Sequence, residues 1–158
     1  MKSILNALLP GLICFFAAMV PARGAEPGMK GIFKGNDKPA NLAFVSARKG
    51  EPVFDKEAIV FIFSGKDHSK AAKPENSAGF GDFGSVLVVI VNSDGQILGR
   101  QVAHSAHGKG SFSSGGTLKL TDYTIANGRL SGKISSGAVS EFFKKTGEVE
   151  LAFHTKAA

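Results

Sequence analysis

Four histidines carry the widest chemical range in this chain, and two of them stand three residues apart in "QVAHSAHGKGSF", residues 101–112. Neutral imidazoles chelate a divalent cation when their nitrogens converge and a third or fourth ligand joins them. His104 and His107 share a face only where the backbone is helical, because residues three apart on a strand point to opposite sides. The pair follows the strand-like "ILGRQVA" and leads into "GKGSFSSGG", which reads as loop, where convergence is allowed but not imposed. His68, in a second irregular stretch, is the natural third ligand. The candidate metal set is therefore His68, His104 and His107, with Asp67, Asp82 and His154 as further donors. No H-E-x-x-H and no cysteine pair accompanies them. The competing reading is of histidines that cap a core and bond to backbone.

"GFGDFG" (79–84) fits G-x-G-x-x-G letter for letter. In a dinucleotide fold those glycines turn a strand into a helix whose amino end holds the pyrophosphate. Here the glycines run into "SVLVVIVN", an apolar strand, so the helix that would bind phosphate is missing and the cofactor reading fails. Phe80 and Phe83 are then expected to cover an open end of the core. Left exposed with Asp82 between them, they would instead form a ligand platform. Phe80, Asp82 and Phe83 are the candidate ligand-binding residues.

Catalytic constellations are harder to find. No serine lies in a G-x-S-x-G elbow, and the strand–helix alternation that elbow needs is lacking. Asp67, His68 and Ser69 are chain neighbours, whereas triad members converge from separate elements. Carboxylates are scattered. Lys66, Lys70 and Lys73 could draw an anion, or simply keep a loop solvated. Aromatic residues are not interleaved with basic ones as base-stacking surfaces require, so no nucleic-acid partner is expected.

The elements that would position these residues read as strands almost throughout. "EAIVFIFS" (57–64) and "SVLVVIVN" (85–92) are continuous apolar runs, rich in β-branched and aromatic residues and too short for typical helices. They fit strands buried on both faces. "GIFKGNDKPANLAFVSARKG" reads as strand, Gly35-Asn36-Asp37 turn and longer strand, with Leu42 and Phe44 alternating against Ala43 and Val45. Asp94-Gly95 and Asn127-Gly128 mark tight hairpins, because these residues tolerate positive φ. In "EVELAFHT", Val149, Leu151 and Phe153 share one face. The one helical candidate is "SEFFKK" (140–145). These signals predict a single all-β domain of about eight strands, an antiparallel β-sandwich or small β-barrel. Residues 65–84 break the rhythm for too long to be an ordinary connection, so a site is expected where they meet the 104–116 loop.

The amino end has a different logic. Lys2, the apolar run "ILNALLPGLICFFAAMV", and Ala22 and Gly24 as small residues before a cut have the layout of a secretory signal peptide over residues 1–24. Residues 25–158 would then form the domain. Cys14, the only cysteine, would leave with the leader, so neither a disulfide nor thiolate chemistry is expected. Loss of Lys2 and Arg23 lowers the formal charge from +6 to +4, a surplus suited to weak attraction to anionic envelope surfaces. No membrane-spanning segment is expected after cleavage.

Through "GIFKGNDKPANLAFVSA", "DKEAIVFIFSGKDHS" and "GEVELAFHT" the chain resembles small exported bacterial all-β proteins without an assigned activity. The resemblance implies a secreted β domain and transfers no catalytic residue. The reading is an exported or periplasmic, non-catalytic binding or envelope-associated module of Gram-negative type, for an unknown small ligand or envelope component. The alternatives are a histidine-based divalent-metal protein and a hydrolase.

Overall fold

A strand that is apolar at every position must be covered on both faces, and the two such runs of this chain lie side by side. The computed structural model describes residues 28–108, 110, 118–142 and 145–157; the leader expected over 1–24 lies outside them. Strand β4 (Lys56–Ser64) pairs antiparallel with β5 (Val86–Val91). With β3 (Phe44–Val53) and β6 (Ile97–Ala103) on the flanks they form sheet B, ordered β3-β4-β5-β6. Sheet A contains β1 (Gly28–Gly35), β2 (Lys38–Pro39), β7 (Lys119–Ala126), β8 (Arg129–Ser135), β9 (Ser140–Phe142) and β10 (Lys145–Lys156). Its order is β2-β1-β10-β8-β7, with β9 also on β10. The ladders of both sheets are antiparallel. The fold is all-β and antiparallel as the patterning predicts, and of the two expected architectures it is the sandwich, since neither sheet closes into a barrel. Among the described residues no helix is long and apolar enough to cross a membrane.

The core lies between the sheets. Val45, Phe61, Phe63, Leu87 and Val89 face it from sheet B, and Phe33, Leu130, Ile134, Leu151 and Phe153 from sheet A. The Phe153 ring stands edge-on to both Phe61 and Phe63, with centroids 4.9 and 5.2 Å away. Such pairs add about 0.5–1.5 kcal/mol each beyond their area. Val149, Leu151 and Phe153 share the inward face as their period-two spacing requires.

Asn127 and Gly128 both take left-handed backbone, at φ 52° and 69°, so the predicted two-residue hairpin forms. At Asp94-Gly95 only the glycine does, at φ 80°. There the Asn92 side-chain oxygen organises the turn by accepting from Asp94 N–H and Gln96 N–H at 3.1 and 2.8 Å. In β3 the inward face is that of Val45 and Ala47, with Phe44 turned outward. Two local readings change. The described part of "SEFFKK" is strand β9, held by its partner β10, in place of the helical candidate. Helix α1 (Pro74–Ala78) and the 3-10 turn η1 (Ser105–His107) form inside segments read as loop.

Candidate functional site

Sheet B is apolar on its outer face as well. Val60, Ile62, Val86, Val88 and Ala103 form a second buried cluster there. Residues 65–84 fold across one end of this face, placing Ala78 and Phe83 on the cluster. Arg48, outward on β3, anchors the segment: it forms an ion pair with Glu75 and donates from Nη1 to the Ala72 carbonyl at 3.1 Å. Pro74 at the start of α1 and Glu75 in its first turn suit a helix amino end.

The rest of the outer face is open. A groove of about 880 Å³ runs over Val60, Val88 and Ile90, and Phe54, Phe80 and Arg100 also line it. Phe54 and Phe80 are each 83% exposed. Phe54 is unusual in its backbone too. With Asp55 it forms the β3–β4 turn, at φ 50° and 59°. Among the described residues this left-handed pair recurs in two other turns, Asn36-Asp37 and Asn127-Gly128, where the residue types tolerate it. A bulky aromatic does not, so Phe54 combines backbone strain with exposure of a large apolar ring. Burial beside the groove pushes the Arg100 guanidinium below its ordinary pKa, since desolvation penalises its charge.

The candidate ligand residues separate. Phe80 points out into the groove, Phe83 packs inward with its ring 5.9 Å from that of His68, and Asp82 is exposed. Sequence reasoning missed Phe54, although an aromatic inside a turn between two strands is a readable signal.

The histidines separate as well. His68 is buried under the 65–84 segment, where Nε2 lies 2.7 Å from Ser46 Oγ and Nδ1 lies 2.6 Å from Ser64 Oγ. Burial lowers its pKa, with the nearby Asp67 charge opposing. Asp67 itself accepts from Ser69 N–H at 2.8 Å, a bond that holds its carboxyl below the usual carboxylate range.

His104 and His107 come together elsewhere, over β1. Their ring centroids are 5.2 Å apart, and His104 stands edge-on to Phe33 of the inter-sheet core. His104 Nδ1 accepts from Ala106 N–H at 3.1 Å, capping η1, and His107 Nε2 donates to the Thr146 carbonyl at 2.8 Å. Asn36 completes this end by donating to the Ala106 carbonyl and accepting from Thr146 N–H. The rings lie directly on Gly35, where a Cβ would be 2.6 Å from each. Each ring therefore commits one nitrogen to backbone, and the pair plugs one end of the sandwich. Burial and then the His107 charge push the His104 pKa down. His154 is exposed on β10. Among the described residues no group of three or more His, Cys, Asp or Glu side chains is placed to hold a metal ion.

The chain matches no family model, no curated protein and no solved structure.

Proposed function

We propose that this chain is an exported, envelope-associated binding module that holds a small amphiphile in the groove on the outer face of sheet B. The leader-like residues 1–24 and the basic surplus support the location. The carrying observation is Phe54, strained at φ 50° and 83% exposed beside an apolar floor. Strain and exposed aromatic surface both oppose stability, and residues that combine them cluster at ligand sites. The lining sets the ligand chemistry. Val60, Val88, Ile90 and the two phenylalanines suit an apolar chain or ring, and the cationic Arg100 in the same lining suits an anionic end.

Replacing Phe54 separates ligand binding from folding. Phe54→Asn relieves the turn and should raise stability by about 1 kcal/mol, while weakening binding of anilinonaphthalene sulfonate, an aromatic anion, at least tenfold. Titration by fluorescence together with thermal melting reads both effects. Phe80→Ser should weaken binding similarly and leave the melting temperature unchanged. Equal dye affinity in both variants and the parent chain would remove the groove as the site.

A further inference from the structure

The hydrogen bonds around His68 assign its protons. A carbonyl only accepts, so the Ser64 hydroxyl, 2.7 Å from the Lys66 oxygen, donates there. Ser64 Oγ is then an acceptor towards the ring, and Nδ1, 2.6 Å away, carries the hydrogen. In the neutral imidazole Nε2 is left with its lone pair, and Ser46, at 2.7 Å, donates its hydroxyl proton to it. This is the order of a nucleophile, its general base and a group that orients the base. Ser64 and His68 are only four residues apart, but the fold brings Ser46 of β3 to His68 across 22 residues. Ser46 and His68 also line a cavity of about 350 Å³, beside Ala43, Phe44, Ala71 and Pro74. Ser46 is partly exposed and its base is buried.

We propose that Ser46 is an acyl-accepting nucleophile activated by His68, with short-chain acyl esters as the substrate class. Ser46 Oγ attacks the ester carbonyl and forms a C–O bond as its proton passes to His68 Nε2. The tetrahedral intermediate expels the alkoxide, which takes that proton and leaves as an alcohol. Water then adds to the acyl-serine, giving its proton to Nε2, and Ser46 leaves as its hydroxyl, releasing the carboxylic acid. Ser64 acts as a positioning residue by holding Nδ1–H and so fixing the tautomer. Burial keeps the ring neutral at physiological pH, with the lone pair available. Ala43, Phe44, Ala71 and Pro74 give the cavity an apolar side that admits a short acyl group, with Arg48, Asp67 and Ser69 as its polar part, and the cavity size lies at the lower end for ligand sites. This site is separate from the groove, so either proposal can fail alone.

A fluorophosphonate probe tests the step on the full chain, since Oγ displaces fluoride in the same geometry. Mass spectrometry should place one phosphonyl group on Ser46, and Ser46→Ala, folded by circular dichroism, should take none. His68→Gln should slow the labelling at least a hundredfold. On the unaltered chain the labelling rate should hold steady above the ordinary histidine value of 6.5 and fall only as more acid conditions protonate His68, whose pKa burial lowers. The charged groups around that ring are Asp67 beside it and Arg48, which lines the same cavity and is paired with Glu75. No label on Ser46, or labelling at a rate indifferent to acid, would overturn the proposal. It would leave His68 as a tie between the segment and the sheet.

Discussion

The outer faces of the two sheets follow opposite rules. On sheet A the outward positions of β10 include Glu150, Ala152, His154 and Lys156, all exposed. Lys34–Glu148 and Lys133–Asp122 pair across its strands at 2.8 Å. Sheet A therefore has the alternation of an antiparallel sheet with one wet face. Sheet B is apolar on both faces, and its outer cluster is covered at one end by residues 65–84 and open at the other as the groove. The long segment is thus a partial third layer. Where it stops, it leaves apolar surface that folding alone does not require. That is why both proposed sites, the groove and the Ser46–His68 cavity, lie on sheet B.

A matched substitution measures the contrast directly. Ile62 is fully buried on the outer face of sheet B, whereas Ile32 on β1 is 41% exposed. Ile62→Ala should cost about 2–5 kcal/mol, transfer and cavity together. Ile32→Ala should cost only about 1 kcal/mol, because the side chain is already half in water. Urea unfolding of the two variants gives the difference. Equal losses would mean that the segment does not function as a packed layer.

Features decided by local chemistry were readable from the sequence. The continuous runs over β4 and β5, the alternation in β10 and the Asn127-Gly128 hairpin each carry their own signal within a few residues. Features decided by partners were not. β9 is a strand because β10 lies beside it, and "SEFFKK" by itself looks equally helical. α1 is too short to show a period, although Pro74 and Glu75 at its start are an amino-end signature. The meeting of Ser46 with His68 spans 22 residues and depends on how the segment folds back, so no spacing could announce it. His104 and His107 do come together, as their spacing allows, but each commits one ring nitrogen to backbone. Of the surface expected where the two loops meet, the described residues place His68 under one loop and the His104–His107 pair against β1.

Acid should weaken the molecule at its two buried histidine sites. His68 and His104 have folded pKa values below the ordinary 6.5, chiefly through burial. The unfolded chain then binds more protons over that interval, so stability rises with pH. The contribution is complete above the unfolded value and is lost as pH falls through the folded values. The melting temperature should hold steady from about pH 8 to 7 and decline towards pH 5. Asp67 opposes the shift at His68, and the charge on His107 reinforces it at His104. His68→Gln should make the decline shallower. An unchanged slope would assign the acid sensitivity to His104, and so to the sandwich end instead of the third layer.

The smallest effect separates the ion pairs of the two faces. Lys133 and Asp122 are 62% and 66% exposed on sheet A, so water and salt screen their attraction. Lys133→Ala should leave the melting temperature unchanged. Arg48 and Glu75, at 26% and 28%, are better shielded, and Arg48 also binds the Ala72 carbonyl. Arg48→Ala should cost roughly 1 kcal/mol, and its main effect should be local. With its tether gone, the 65–84 segment should open more often, and limited proteolysis should cut there sooner than in the parent chain. If Lys133→Ala sensitises the chain equally, the segment is not held by Arg48. The outer layer of sheet B would then rest on its apolar contacts alone, through Ala78 and Phe83.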